Sequence, residues 1–460
     1  MNRNAEMLAN MNIKKLLAKL SLPAIAGMFV NALYNFIDAI FVGRGVSTDA
    51  IGGLGLAFPI QMIVTAVGLM VGMGSASIFS RAFGEKDEVK MKAAVNTALR
   101  LDVILAIVFT VIGFIFLDPL LRLFGATDIN IGYARDYLFV ILFGLIPLSL
   151  TMVLNNLTRA EGRAHIAMVS MIIGTGLNII LDPIFIFSWG LDMGIRGAAV
   201  ATIISQIIAF IYIFYQANKH DSALKIDYTH FNIDYKIANE TLAIGFPSFL
   251  RNAIGAIITI VIMNLIRVYA VDDTELYQSI YSTINRLITF MFMPSFGIVQ
   301  GLAPIVGFNY GAKNYHRLHE AISYTMKIIL VYFLFSVILI QLASVPMFLL
   351  FDNNPGSTFI LVGSKAFRII SIGFLLAGFQ VVVSSVYQSE GYAFKAALIA
   401  LSRQAIFFIP FVYLFSYFFG ISGIWWSFVA SDILAGLISM ILHFIELNRI
   451  DRLQKKYNNV

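Results

Sequence analysis

The chain has no cysteine, and only 13% of its 460 residues are Asp, Glu, Lys or Arg. The first absence excludes disulfides, thiolate nucleophiles and cysteine-based zinc sites. The second argues against an ordinary water-soluble domain, in which about a quarter of residues are charged. Histidine is scarce, with six residues at positions 165, 220, 230, 316, 319 and 443. Only His316 and His319 are spaced like a metal pair. They sit in a basic loop beside Lys313 and Arg317, with no carboxylate set nearby, so a solvated loop is the expected reading and no metal site is assigned. There is no G-x-x-x-x-G-K-[ST] loop, so ATP is not expected to power this chain directly. No nucleophile, metal set or acid pair clusters at one membrane face, so an enzyme is not expected, and no cofactor is implied.

What the chain does have is apolar surface. The hydrophobic set makes up 59% of residues and the mean hydropathy is +0.83. A polar shell cannot cover such a chain in water, so the lipid bilayer is its expected solvent. A membrane-crossing helix needs roughly 20 mostly apolar residues. That rule places about twelve spans, beginning near Pro23, Ile51, Thr97, Tyr133, Ala164, Ile195, Thr241, Leu276, Ala321, Ala366, Ala393 and Ile421. The first apolar run, Leu22 to Val42, lacks a small-x-small cleavage site and is read as a retained span rather than a signal peptide. The net charge of +6 does not point to nucleic acid. Of the 32 Lys and Arg, 22 fall in alternate segments that include both termini. Seven fall in the other loops (Arg44, Arg122, Arg135, Arg196, Arg267, Lys365, Arg368), and Arg251, Arg286 and Arg403 lie within spans. By the positive-inside rule both termini are cytoplasmic.

An internal repeat organises the chain. Phe83-Gly84-Glu85-Lys86 matches Tyr310-Gly311-Ala312-Lys313 at an offset of 227, and Glu161-Gly162 matches Glu390-Gly391 at 229. Gly194-Ile195-Arg196-Gly197 matches Gly420-Ile421-Ser422-Gly423 at 226, and Pro23 matches Pro247 at 224. Four matches at a nearly constant offset are not chance. Because the unit holds an even number of spans, the halves run parallel, related by a pseudo-two-fold axis along the membrane normal. The expected fold is all-α and integral to the membrane, with two six-helix bundles. The N-lobe would cover 1–217, a cytoplasmic linker 218–240, the C-lobe 241–445 and a cytoplasmic tail 446–460. Two-half membrane proteins of this plan read as transporters, with sites between the halves near the midplane.

Polar residues inside spans are functional candidates, since an ionisable group there costs about 3 kcal/mol on insertion scales. Asn31, Tyr34, Asn35 and Asp38 fall on one face of the first span. Asn178 and Asp182 lie one turn apart on the fifth, where Pro183 frees a carbonyl. Two carboxylates facing one cavity cannot both ionise cheaply, which suits a group that loads and releases a proton. With the neutral oxygens of Asn178 and Thr202, the same set would suit Na⁺. The competing reading is that Asp38 and Asp182 cap or bridge packed helices. Asp432 shares the second half with Arg251, Arg286 and Arg403, where a structural ion pair is favoured over lining a substrate cavity; Gln300 is a further cavity candidate. Arg100 and Asp102 are expected to snorkel from the inner end of the third span. Gly68, Gly72 and Gly74 have the spacing of close helix packing. Some of the 18 Met and 40 Phe could line a hydrophobic cavity.

These residues resemble the multidrug and toxin extrusion (MATE) transporters over nearly the whole chain. The resemblance rests on Pro23 with the Asn31 to Asp38 stripe, Arg81-Ala-Phe-Gly84-Glu85, Thr158-Arg159-Ala160-Glu161-Gly162, Leu177-Asn178-Ile-Ile-Leu-Asp182-Pro183 and Gly197-Ala-Ala-Val-Ala-Thr202. Gln300-Gly301-Leu-Ala-Pro304 and Phe308-Asn309-Tyr310-Gly311-Ala312 look like the MepA-type branch. The resemblance implies export of cationic, amphipathic drugs and dyes in exchange for H⁺ or Na⁺, by a monomer in a bacterial-type plasma membrane. It also implies that Asp38, Asn178, Asp182 and Thr202 form the cation and proton network, with Tyr137 and Asn155 at its periphery. In the NorM-type branch an acidic residue lies about two turns past the seventh-span proline. Here that position is Gly255, so coupling is expected to rest on the first half. The rival expectation is a lipid-linked precursor flippase of the wider superfamily, with the second-half arginines receiving an anionic headgroup.

Overall fold

A computed structural model of the chain describes residues 3–46, 48–123, 131–227, 232–352 and 354–458. All regular structure among them is helical. In chain order the helices are α1 (Arg3–Asn10), α2 (Ile13–Gly45), α3 (Thr48–Glu85), α4 (Glu88–Ile115), α5 (Leu117–Leu123), α6 (Ile131–Phe143), α7 (Leu145–Ala160), α8 (Ala164–Ile186) and α9 (Gly194–Ala217). After a non-helical stretch come α10 (Tyr235–Tyr269), α11 (Thr274–Gly311), α12 (Tyr315–Leu349), α13 (Thr358–Ser371), α14 (Phe374–Glu390) and α15 (Ala393–Leu401). A π-helical segment, Ser402–Phe408, then leads into α16 (Ile409–Phe419) and α17 (Ile421–Asn458).

Nine spans among the described residues are long and apolar enough to cross a membrane. Two more are bent pairs, α6–α7 at 57° and α13–α14 at 52°. With α2 these account for the twelve spans expected, and the protein is a multi-pass membrane protein. The bends occupy matching places in the repeat. Pro23 and Pro247, expected to open their spans, instead lie inside α2 and α10. Two helices run past the bounds expected for the lobes. α10 begins at Tyr235, within the stretch assigned to the linker, because Asp234 caps it by accepting from Lys236 N and Ile237 N at 2.9 and 3.1 Å. α17 runs on to Asn458, so residues 446–458 of the assigned tail are helix.

The repeat is visible in the backbone itself. Gly162 and Gly391 both take left-handed conformations, with φ of 89° and 90°, which only glycine adopts without strain. Lys86 and Lys313 are paired in the same way, at φ 60° and 55°. Each is followed by a capping residue: Asp87 accepts from Lys90 N at 2.9 Å and Asn314 from Arg317 N at 3.4 Å. Gly84 and Gly311 show what the repeated motif is for. A Cβ on Gly84 would lie 2.0 Å from Phe308 O, and one on Gly311 would lie 2.0 Å from Arg81 O. Each glycine therefore lets its helix touch the other's backbone, and α3 crosses α11 through this reciprocal pair.

The same end of the bundle carries both termini. Arg317 Nη2 donates to Leu8 O and Met11 O at 3.2 and 2.7 Å, while the rings of Tyr315 and Tyr457 meet edge-on at 6.0 Å. The halves are pressed together here. Ser21 Oγ donates to Ile298 O at 3.2 Å, Ser77 Oγ to Gln388 O at 2.7 Å, and Arg81 pairs with Glu240 at 2.8 Å.

Candidate functional site

The polar centre of the first half is built on α8. Its Asn178 and Asp182 are four residues apart and so share one face. Both are buried, at 2% and 0% exposure. Asn178 Nδ2 donates to Asp182 Oδ1 at 2.9 Å and to Thr202 Oγ1 of α9 at 3.2 Å. Thr202 Oγ1 in turn donates back to Ala198 O at 3.0 Å. Pro183 lies inside α8, adjacent to the carboxylate. The structure thus joins three of the four residues expected to form the network. α2, the helix of Asp38, packs along α8. The side chains of Asn31, Tyr34, Asn35 and Asp38 lie outside the described residues.

The peripheral pair is placed as follows. Tyr137 of α6 is buried, and its Oη accepts from Gln61 Nε2 of α3 at 3.2 Å. Asn155 of α7 is buried with no hydrogen-bond partner for its Oδ1 among the described residues.

In the second half, Arg403 lies in the π-helical segment and pairs with Asp432 of α17. Nε sits 2.5 Å from Oδ1 and Nη2 3.4 Å from Oδ2. The guanidinium also stands 4.8 Å from the centre of the Phe292 ring. Arg251 contacts Ser248 Oγ at 3.4 Å and faces the Phe296 ring at 5.7 Å. Arg286 is exposed. Gln300 places Nε2 3.8 Å from Met28 Sδ, and its buried Oε1 has no partner among the described residues.

One expectation is overturned. Asp102 does not snorkel: it is fully buried at 0% exposure and accepts from Ser149 Oγ of α7 at 2.6 Å. Spacing alone put it near a span end. The packing of α4 against α7 then carries the carboxylate inward. Arg100 instead donates to the carbonyls of Asn232 and Asp227, tying down the central stretch.

Sequence reasoning also missed two buried acidic centres at the terminal end. In the sequence Glu161 and Glu390 stand out as repeat markers, and Glu161 also as part of the Thr158-Arg159-Ala160-Glu161-Gly162 motif. Each is buried against an arginine, Arg163 for the first at 3.2 Å and Arg449 for the second at 2.7 Å. Burial raises the carboxyl pKa of Glu161, while Arg163 and the donors from Ala223 and Ser222 work against that rise. Their recurrence at one offset is the signal the sequence offers, with Arg159 and Arg163 flanking Glu161 alone. Among the described residues no three acidic or histidine side chains gather as a metal cage.

The site sits in a chain whose repeat is also recognised from outside. The MatE family model matches it twice, at residues 23–184 and 244–414. The chain belongs to the MATE family. Among its curated relatives is the multidrug export protein MepA of Staphylococcus haemolyticus, 25% identical over 439 residues and 95% of each chain. MepA of Staphylococcus aureus is 26% identical, covering 95% of this chain and 94% of its own. Among solved structures, a multidrug resistance MATE family transporter of the MOP superfamily in its outward-facing conformation superposes with a TM-score of 0.90 at 27% identity. It covers 98% of this chain and 99% of that one. A MOP superfamily transporter from Pyrococcus furiosus, described as having a binding pocket of reverse polarity, also reaches 0.90 at 26% identity, with the same coverage. MATE membership accounts for the two matched halves and for the MepA-type motifs of the second.

Proposed function

We propose that this MATE protein exports lipophilic, cationic small molecules across a bacterial-type plasma membrane, exchanging them for H⁺ or Na⁺. The observation that carries the reading is the buried Asn178–Asp182–Thr202 chain on α8 and α9, lying against the helix of Asp38. A carboxylate held by a neutral amide keeps its affinity for a proton or a hard cation. The MepA relatives, multidrug export proteins by name, support the substrate class.

The mechanism is alternating access. With the termini cytoplasmic, the tight α3–α11 crossing is a closed cytoplasmic gate. Ion loading at Asp38 and Asp182 changes the packing of α2 on α8. Drug and ion must each prefer a different state, or no exchange results. The monomer suffices, since both halves lie in one chain.

The flippase reading is disfavoured by the MepA relatives, and one of its three arginines, Arg403, is neutralised by Asp432. The test is dye efflux from proteoliposomes of the purified protein, first under a pH gradient and then under a Na⁺ gradient. One gradient drives efflux, and Asp182→Asn abolishes it with insertion intact. Unchanged efflux in that variant would sink the mechanism.

A further inference from the structure

Arg159 occupies the last turn of α7 and is buried, at 8% exposure. Its Nη2 meets Met171 Sδ at 3.1 Å, and its Nε has no hydrogen-bond partner among the described residues. At this end Arg81 pairs with Glu240, Arg163 with Glu161, and Arg449 with Glu390 and Glu446, while the half-buried Arg317 and Arg100 donate instead to backbone carbonyls. No carboxylate among the described residues pairs with Arg159. Guanidinium does not deprotonate at any working pH, and a buried charge needs a countercharge. The carbonyl end of α7 supplies only about half a charge.

Arg159 lines a cavity of about 30 Å³, room for one particle the size of a water molecule. Asn156, Ser77 and Ser80 line it from the first half, and Gln300 and Gln388 from the second. Gln388 is the repeat counterpart of Arg159, at the same 229-residue offset as the two glutamates. Its amide is already committed, donating to Ile244 O at 2.9 Å and Ser248 Oγ at 3.0 Å. The two hydroxyls also donate to backbone carbonyls, Ser77 to Gln388 O and Ser80 to Ser77 O. The cavity is thus neutral apart from Arg159. A water molecule there would satisfy hydrogen bonds but leave the charge uncompensated.

We propose that this cavity is a binding site for one small monatomic anion, of the size and charge of chloride, held by the Arg159 guanidinium at the seam between the halves. The cavity is walled by both halves, so the anion binds only while they are closed at the terminal end. By mass action it then favours that conformation. The inference does not depend on which cation drives export.

The test uses the purified full-length protein in detergent, with NaCl, NaBr and sodium gluconate at equal ionic strength. Chloride and bromide raise the unfolding temperature above its value in gluconate. Arg159→Gln loses that shift, and Arg267→Gln, altered at an exposed arginine in the last turn of α10, keeps it. Crystals of the unmutated protein grown in bromide show an anomalous peak against the Arg159 guanidinium, a readout that does not rely on a variant folding. Identical unfolding temperatures in all three salts would overturn the proposal. So would a halide shift that persists in Arg159→Gln, or a bromide crystal with only a water beside Arg159.

Discussion

Glu161 and Glu390 hold the same place in the two halves, each just before a left-handed glycine, yet their surroundings differ. Both oxygens of Glu161 are engaged. Ala223 N and Asn4 Nδ2 donate to Oε1 at 2.6 and 3.4 Å, while Ser222 Oγ and Arg163 Nη1 donate to Oε2 at 3.1 and 3.2 Å. Glu390 is gripped at Oε2 by Arg449, and its Oε1 has no partner among the described residues. It shares that arginine with Glu446, which also has an unpartnered oxygen among them. The repeat fixes where the backbone goes, but the segment attached to the end of each half fixes the partners. After the first half comes the central stretch, which folds back onto Glu161. After the second, α17 continues and brings Arg449 and a second acid, Glu446.

The spans differ in the same sense. The fifth carries a carboxylate held by an amide that also reaches a hydroxyl of the sixth, whereas a guanidinium of the eleventh holds a carboxylate of the twelfth. Similar helix pairs thus hold an acid beside an amide in one half and an acid paired with a guanidinium in the other.

The largest effect expected from breaking this contrast is on transport. Asp182→Asn and Asp38→Asn each bring dye efflux to the level of empty vesicles. Arg403→Gln with Asp432→Asn, which removes both members of the second-half pair, retains efflux. A double variant as inactive as Asp182→Asn would erase the division between the halves. Next comes stability. Asp432→Asn alone leaves Arg403 without its partner and costs about 3 kcal/mol, read as a fall in the unfolding midpoint. The double variant costs less than that single one.

The α3–α11 crossing is the symmetric part of the comparison. Gly84→Leu and Gly311→Leu overpack it, at a cost of about 1–3 kcal/mol, and separate the halves there. The chain has no native cysteine, so Ala303→Cys at the seam reports the opening directly. Maleimide labels it faster in both glycine variants, to a similar degree.

The smallest effect concerns pH at Glu161. Its pKa is raised in the folded protein, so this group contributes stability that is greatest in acid. That contribution is lost as pH rises from the ordinary glutamate value of 4.5 through the folded value. Glu161→Gln flattens this part of the unfolding midpoint against pH, as followed by thermal melts.

The sequence by itself determined the spans and the two-half plan. These rest on local facts: apolar run length, helical spacing, and motifs repeated at a nearly constant offset. Asn178 with Asp182 was legible for the same reason, being one helical turn apart. The tertiary structure alone decided the partners across large separations. Glu161 meets Ala223 N, Glu390 meets Arg449, Asp102 is drawn inward to Ser149, and Arg159 is left against a cavity without a carboxylate. A single sequence carries no record of which distant helices touch. A buried charge is therefore recognisable from its residue type, but its neutralisation depends on packing between elements far apart in the chain.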